Sequence, residues 1–342
     1  MKTALITGIT GQDGAYLTEV LLRKGYKVVG AHRRSSSPNF WRLRELGVLD
    51  HPDLLLVEFD LTDLSSLIRL LSTHKPDELY NLAAQTHVGV SFDQPITTAE
   101  ITALGCLYVL EAVRITGIPV RVFQAASSEM FGKVVETPQR ETTPFHPRSP
   151  YAVSKTFAYW SAINYREAYD MHVSVGILFN HESPLRGLQF VTRKITDAAA
   201  RFAVAKEGVL AFGNLNAERD WGYAREYVEG YWRALQVDQP DNFVFATGKK
   251  ASVREFTSMA FNATGFELEW AGEGMDERGV CRRSGQTLVR LDPSFVRSAE
   301  VDLLLGDASK AKEILSWSAI TPLEDLCQIM IDADLRRHQS FA

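Results

Sequence analysis

Cysteine is scarce in this chain: Cys106, Cys281 and Cys327 are its only three, and they lie far apart. An odd number at such spacings excludes a disulfide framework and a zinc ligand set, so no metal is expected. A basic block is missing too. The net charge is −5, with both signs scattered, which leaves no electrostatic footprint for nucleic acid or an anionic membrane. Long apolar runs are also lacking. No stretch approaches the length that would cross a bilayer, and the run between Met1 and Gly8 is too short for the core of a signal peptide. A soluble protein of a reducing, cytoplasmic compartment is the expectation.

Ordinary composition remains, 45% hydrophobic and 23% charged, in a chain long enough for one large or two smaller domains. Short apolar runs at 3–7, 27–31, 54–59, 79–83, 121–125 and 172–179 read as strands buried on both faces. Helical patterns at 15–24, 64–74, 98–116 and 151–169 lie between them. Such alternation predicts an α/β fold built on a doubly wound parallel, Rossmann-type sheet. After residue 180 the rhythm breaks. Helices are expected at 191–206, 225–235, 309–315 and 323–335, a short strand at 243–246, a strand or turn at 303–306, and a loop or loose hairpin over 272–291. The expected division is a dinucleotide-binding domain over 1–180 and a smaller, discontinuous α/β lobe over most of 181–342. Segments near 219–246 and 299–316 return to the first domain.

The first strand runs into Gly8, Thr10, Gly11, Gln12, Asp13 and Gly14 and then a helix. Glycines there let the backbone approach a pyrophosphate whose charge sits at the helix N-terminus. The GxxGxxG spacing is that of short-chain dehydrogenases. At the end of strand two, where an acid would hold the ribose of NAD, stand Arg33, Arg34, Ser35 and Ser36. These residues suit the 2′-phosphate of NADP. Asp60 and Leu61 follow strand three toward the adenine, and Asn81, Leu82, Ala83 and Ala84 follow strand four along the cofactor channel.

Tyr151 and Lys155 share a helix face one turn apart, just after Pro150. A neighbouring ammonium and a cationic nicotinamide ring are expected to lower the phenol's pKa, so that it can accept a proton from a substrate hydroxyl. Ser127, at the end of strand five, can hydrogen-bond the developing carbonyl oxygen. Glu129 has no part in simple alcohol oxidation. Beside a new ketone, however, it could remove an acidified C–H proton and protonate a hydroxyl leaving the next carbon.

Together with 81–85, 127–132, Asn180-His181-Glu182-Ser183-Pro184 and Arg219-Asp220-Trp221, these residues resemble the GDP-mannose 4,6-dehydratase family from residue 3 to about 335. The resemblance implies a GDP-sugar substrate and a sequence of C4 oxidation, loss of water across C5 and C6, and hydride return to C6. It adds Gln85 and His181 to the cofactor residues. It implies Ser91, Asn180, Val191, Lys194, Arg219, Arg297 and Glu300 as substrate contacts, and a homotetramer or homodimer in which the 33–36 loop reaches a neighbouring subunit.

Departures from the family pattern are Ser127 where threonine is usual, Ala126 for serine, Ser298 for proline, and His146 and Tyr223 where tyrosine and histidine are common. These leave a GDP-manno-heptose open as the sugar. A nucleotide-sugar 4-epimerase would need no base at C5, which Glu129 disfavours. A silent nucleotide sensor would have no use for Ser127, Tyr151 and Lys155.

Overall fold

The computed structural model describes residues 1–37, 39–295, 301 and 303–339. Its centre is a seven-stranded, all-parallel sheet. Six strands come in chain order: β1 (Thr3–Thr7), β2 (Lys27–His32), β3 (Leu54–Glu58), β4 (Glu78–Asn81), β5 (Arg121–Ala125) and β6 (Val173–Leu178). They lie in the order 3-2-1-4-5-6, and the late strand Asn242–Phe245 pairs with β6 at the far edge. Reversal of strand order between β1 and β4 creates the crevice where such sheets bind ligands.

Burial follows position in the sheet. β4 and β6 are buried at every residue, whereas the edge strand β3 is half exposed. On one face Leu5, Leu79, Val122 and Val175 pack beneath the helices Leu64–His74, Gly105–Thr116 and Pro150–Tyr169. On the other, Ile6, Val28, Tyr80 and Phe123 pack against Gln12–Arg23 and Ala224–Ala234.

The absence of any bilayer-length apolar stretch does not hold. Helical residues Pro95–Thr116 form a run of 22 that is long and apolar enough to cross a membrane. Half of it is buried inside the fold, and Cys106, Val109, Leu110 and Val113 face the sheet core. The expected helix over 98–116 begins three residues earlier, at Pro95, and contains a π-helical segment, Ala99–Leu104.

Most of the later elements build a separate core. Leu210–Phe212, Leu268–Ala271, Arg278–Cys281 and Thr287–Leu291 form a four-stranded sheet, packed with helices Val191–Ala205, Val253–Ala263 and Leu323–Gln339. The expected loose hairpin in 272–291 is an ordered antiparallel pair with a bulge at Gly279/Val280. That irregularity breaks the alternation that would have marked it as strand.

Candidate functional site

Register aligns the ends of the central strands. Thr7 pairs with Ala31 and Asn81, Asn81 with Gln124, and Ala125 with Gly176. Every loop that follows these strands therefore opens at one edge. The Thr7 hydroxyl donates to Asn81 Oδ1 at 2.7 Å and accepts from the amides of Leu82 and Ala83 at 3.2 Å. In the glycine loop, Gly8 has φ +74°, and a Cβ on Gly14 would lie 2.5 Å from the Gly8 carbonyl oxygen. Glycine alone permits that fold. It leaves the leading amides of helix Gln12–Arg23, capped only by Gly11, at the sheet edge.

The basic run after β2 is exposed. Arg34 lies 3.9 Å from Glu58, and Ser35 donates to the Ser37 carbonyl at 2.8 Å. Asp60 accepts the Thr62 amide and hydroxyl at 2.9 and 2.7 Å, while Leu61 is buried beside Gly105. Gln85 braces the next loop, accepting from the His87 amide at 2.5 Å and donating to Thr98 at 3.1 Å.

Ser149 caps the next helix by accepting the Ala152 amide at 3.1 Å, and Pro150 occupies the first helical position, where its missing N–H costs nothing. Tyr151 and Lys155 follow, both buried. Lys155 Nζ donates to the Ala125 carbonyl at 2.8 Å and lies 6.0 Å from the Tyr151 ring centre. Burial lowers its pKa to about 8. Ser127 accepts the Glu129 amide at 3.2 Å, forming the cap of a short 3₁₀ turn.

The expected lowering of the tyrosine's pKa is absent in the protein alone. Burial pushes Tyr151 up to about 12. A hydrogen bond from Ser127 pulls it down, the charge of Glu129 pushes it up, and Arg186 opposes Glu129. Ser127, Glu129, Tyr151 and Lys155 are thus brought together. Arg186, whose field reaches Tyr151, is not among the site residues expected from the sequence. It lies 3.1 Å from Glu182 and 3.7 Å from the Phe190 ring centre, and only the fold discloses that neighbourhood.

The expected substrate residues are more dispersed. Asn180 pairs with Trp221 in a two-stranded ladder, two residues beyond buried Arg219. Asn180 Oδ1 is buried without a hydrogen-bond partner. Ser91 is buried and donates to the Val88 carbonyl at 2.6 Å. Val191 opens a helix on which Lys194 donates to the Ala211 carbonyl at 2.7 Å and sits 4.1 Å from the Phe295 ring centre. Lys194, Phe295, Ala211 and Arg201 line a cleft of about 260 Å³. Arg297 and Glu300 lie outside the described residues. A larger hollow, about 560 Å³, is not above Tyr151 at all. It lies on the outer face of the same helix, lined by Val153, Phe157 and Trp160. Among the described residues no group of three or more His, Cys, Asp or Glu side chains could hold a metal ion.

Comparison with known proteins adds an independent line. A family model described as GDP-mannose 4,6 dehydratase matches residues 5–330. A GDP-mannose 4,6-dehydratase of Sinorhizobium fredii is 53% identical over 98% of this chain and 97% of its own length. One of Yersinia enterocolitica is 51% identical over 100% of this chain and 96% of its own. Among solved structures, a UDP-glucose 4-epimerase of Thermotoga maritima with UDP-glucose superposes with a TM-score of 0.83. It covers 99% of this chain and 100% of that one, at 23% identity, which is a likeness of fold.

Proposed function

The chain belongs to the GDP-mannose 4,6-dehydratase family, and from that premise we propose how its own residues turn GDP-mannose into GDP-4-keto-6-deoxymannose with NADP. The reaction is loss of water from a nucleotide sugar, the chemistry of a hydro-lyase. One observation carries the assignment of residues: at the end of β5 the Ser127 hydroxyl accepts the Glu129 amide and Lys155 Nζ seats on the Ala125 carbonyl, with the phenol of Tyr151 buried one helical turn from that lysine.

The residues at the sheet edge fit the cofactor. The glycine loop closes so tightly that a side chain at Gly14 would strike backbone, and Arg33, Arg34, Ser35 and Ser36 supply exposed donors where a 2′-phosphate would lie. NADP, when bound, would supply the acceptor for hydride from C4 and the donor of that hydride to C6. Tyr151 accepts the proton of the C4 hydroxyl, steadied by the Ser127 hydroxyl. Lys155 supplies positive charge from its seat on the Ala125 carbonyl. The C4 ketone acidifies C5–H, Glu129 removes that proton, and the same carboxyl protonates the departing C6 hydroxyl, so water leaves. Once C6 has regained hydride, C5 takes up a solvent proton as Tyr151 releases the one it took from the C4 hydroxyl. Asn180, Lys194 and Arg219 hold the diphosphate and sugar, with Ser91 and Val191 beside them.

We further propose a homo-oligomer. Val153, Phe157 and Trp160 are 55%, 43% and 57% exposed on one helix face, an apolar surface that a second copy related by a twofold axis would cover. The three cysteines are free and buried, which supports a reducing, cytoplasmic setting.

Incubation with GDP-mannose in heavy water tests the central reading. A 4-keto-6-deoxy product carrying deuterium at C5 is expected. An epimerised sugar with no loss of water would overturn it. Sedimentation tests the oligomer: Phe157→Glu with Trp160→Glu should yield monomers, and an unchanged assembly would place the interface elsewhere.

A further inference from the structure

Behind the glycine loop lies a buried polar cluster that takes no part in the chemical steps. His181 Nε2 is 2.8 Å from Asp13 Oδ2, and His181 Nδ1 is 2.7 Å from the Phe179 carbonyl oxygen. A carbonyl and a carboxylate only accept, so both ring nitrogens carry hydrogen and the ring is an imidazolium. Burial would raise the Asp13 pKa, but the charge and hydrogen bond of His181 overcome it and hold the carboxyl at about 2. Tyr231 donates to the same carboxylate oxygen at 3.0 Å, and the His181 ring stacks on Tyr227 with centroids 4.7 Å apart.

These contacts join two segments that would hold different ligands. Gln12 Nε2 donates to the His181 carbonyl at 3.1 Å, and Ser183 Oγ donates to Gln12 Oε1 at 2.6 Å. From the other side, Arg42 donates to the Thr10 carbonyl at 2.9 Å and to the Leu185 carbonyl at 2.6 Å. The loop that would cradle a pyrophosphate is therefore tied to residues 181–185. Immediately before them stands Asn180, whose buried Oδ1 has no partner. A buried acceptor without a protein partner is open to a donor from water or from a ligand.

We propose that Gln12 and Asp13, gripping His181 and Ser183, and Arg42, gripping the Thr10 and Leu185 carbonyls, form a clasp that couples the cofactor site to the nucleotide-sugar site. Filling either site then orders the segment that the other ligand needs, so the second ligand binds tighter. These are positioning residues. The inference rests on the reading that Asn180 meets the GDP-sugar and the glycine loop meets NADP.

Calorimetric titrations with GDP and NADP⁺, each alone and with the other saturating, test the clasp. Each should tighten the other by the same factor, about fivefold or more. Arg42→Met with Ser183→Ala alters neither expected ligand contact and should bring the factor to about one. Ser183→Ala alone should lower it part way. In the wild type, saturating NADP⁺ should also slow amide exchange across 180–185, a readout that needs no variant to fold. Two measurable but independent affinities would overturn the inference alone, as would undiminished coupling in the double variant or unchanged exchange. Failure of wild-type protein to bind GDP at all would overturn the dehydratase reading and this inference with it.

Discussion

The central sheet and the later lobe solve the same problem in opposite ways. In the sheet, parallel register aligns Thr7, Asn81 and Gln124 at one edge, and the Thr7–Asn81 and Asn81–Gln124 hydrogen bonds lock an alignment that the register has already made. In the lobe, a parallel pair joins Leu210–Phe212 to Thr287–Leu291, and buried polar ties must hold distant segments in place. Arg193 pairs with Asp334, which also accepts Thr196 at 2.8 Å and Arg337 at 2.9 Å. The sheet edge thus concentrates the proposed chemistry, while the lobe depends on bonds between helices to present a surface.

The sharpest way to break this contrast is at Glu129. Glu129→Gln should lower dehydration by about 10³-fold, the scale of a lost general acid–base group. It should leave a single turnover of cofactor reduction visible at 340 nm, because Tyr151 and Lys155 are untouched. Tyr151→Phe should suppress both signals. Wild-type dehydration by the glutamine variant would remove Glu129 from the chemistry.

A smaller effect should distinguish the lobe. Asp334→Ala leaves Arg193 buried without its carboxylate, and such a loss costs about 3 kcal/mol, measured by urea unfolding. Arg193→Met combined with Asp334→Leu removes both charges and should recover most of that loss. Single-variant stability equal to wild type would show that the helices Val191–Ala205 and Leu323–Gln339 are held by their apolar faces alone.

The same contrast explains what could be read from sequence. Strands β1, β2 and β4 to β6 announce themselves as apolar runs because both their faces are covered, and the chemistry-bearing residues follow at strand ends; β3 is apolar in sequence although it is half exposed at the sheet edge. Leu268–Ala271 and Arg278–Cys281 do not, since the first is only partly buried and the second carries a bulge. The raised pKa of Tyr151 has a related cause: a same-face lysine suggests a lowered value, but burial and the charge of Glu129 outweigh the lowering by Ser127 and Arg186. Arg42 and Ser183 carry no local signal, because their roles depend on partners in remote segments.

One lobe feature was legible in principle. Ser252 accepts the Glu255 amide at 3.1 Å, and Glu255 accepts the Ser252 amide at 2.6 Å. This reciprocal cap starts helix Val253–Ala263, which is absent from the elements expected of the sequence. A serine followed three residues later by glutamate is the signature of that start. Ser252→Ala should cost about 1 kcal/mol, the smallest of these effects, and should leave turnover with saturating GDP-mannose unchanged. If turnover fell along with stability, the lobe would be shaping the reaction as well as the binding surface, and the division between an edge that reacts and a lobe that holds would be too sharp.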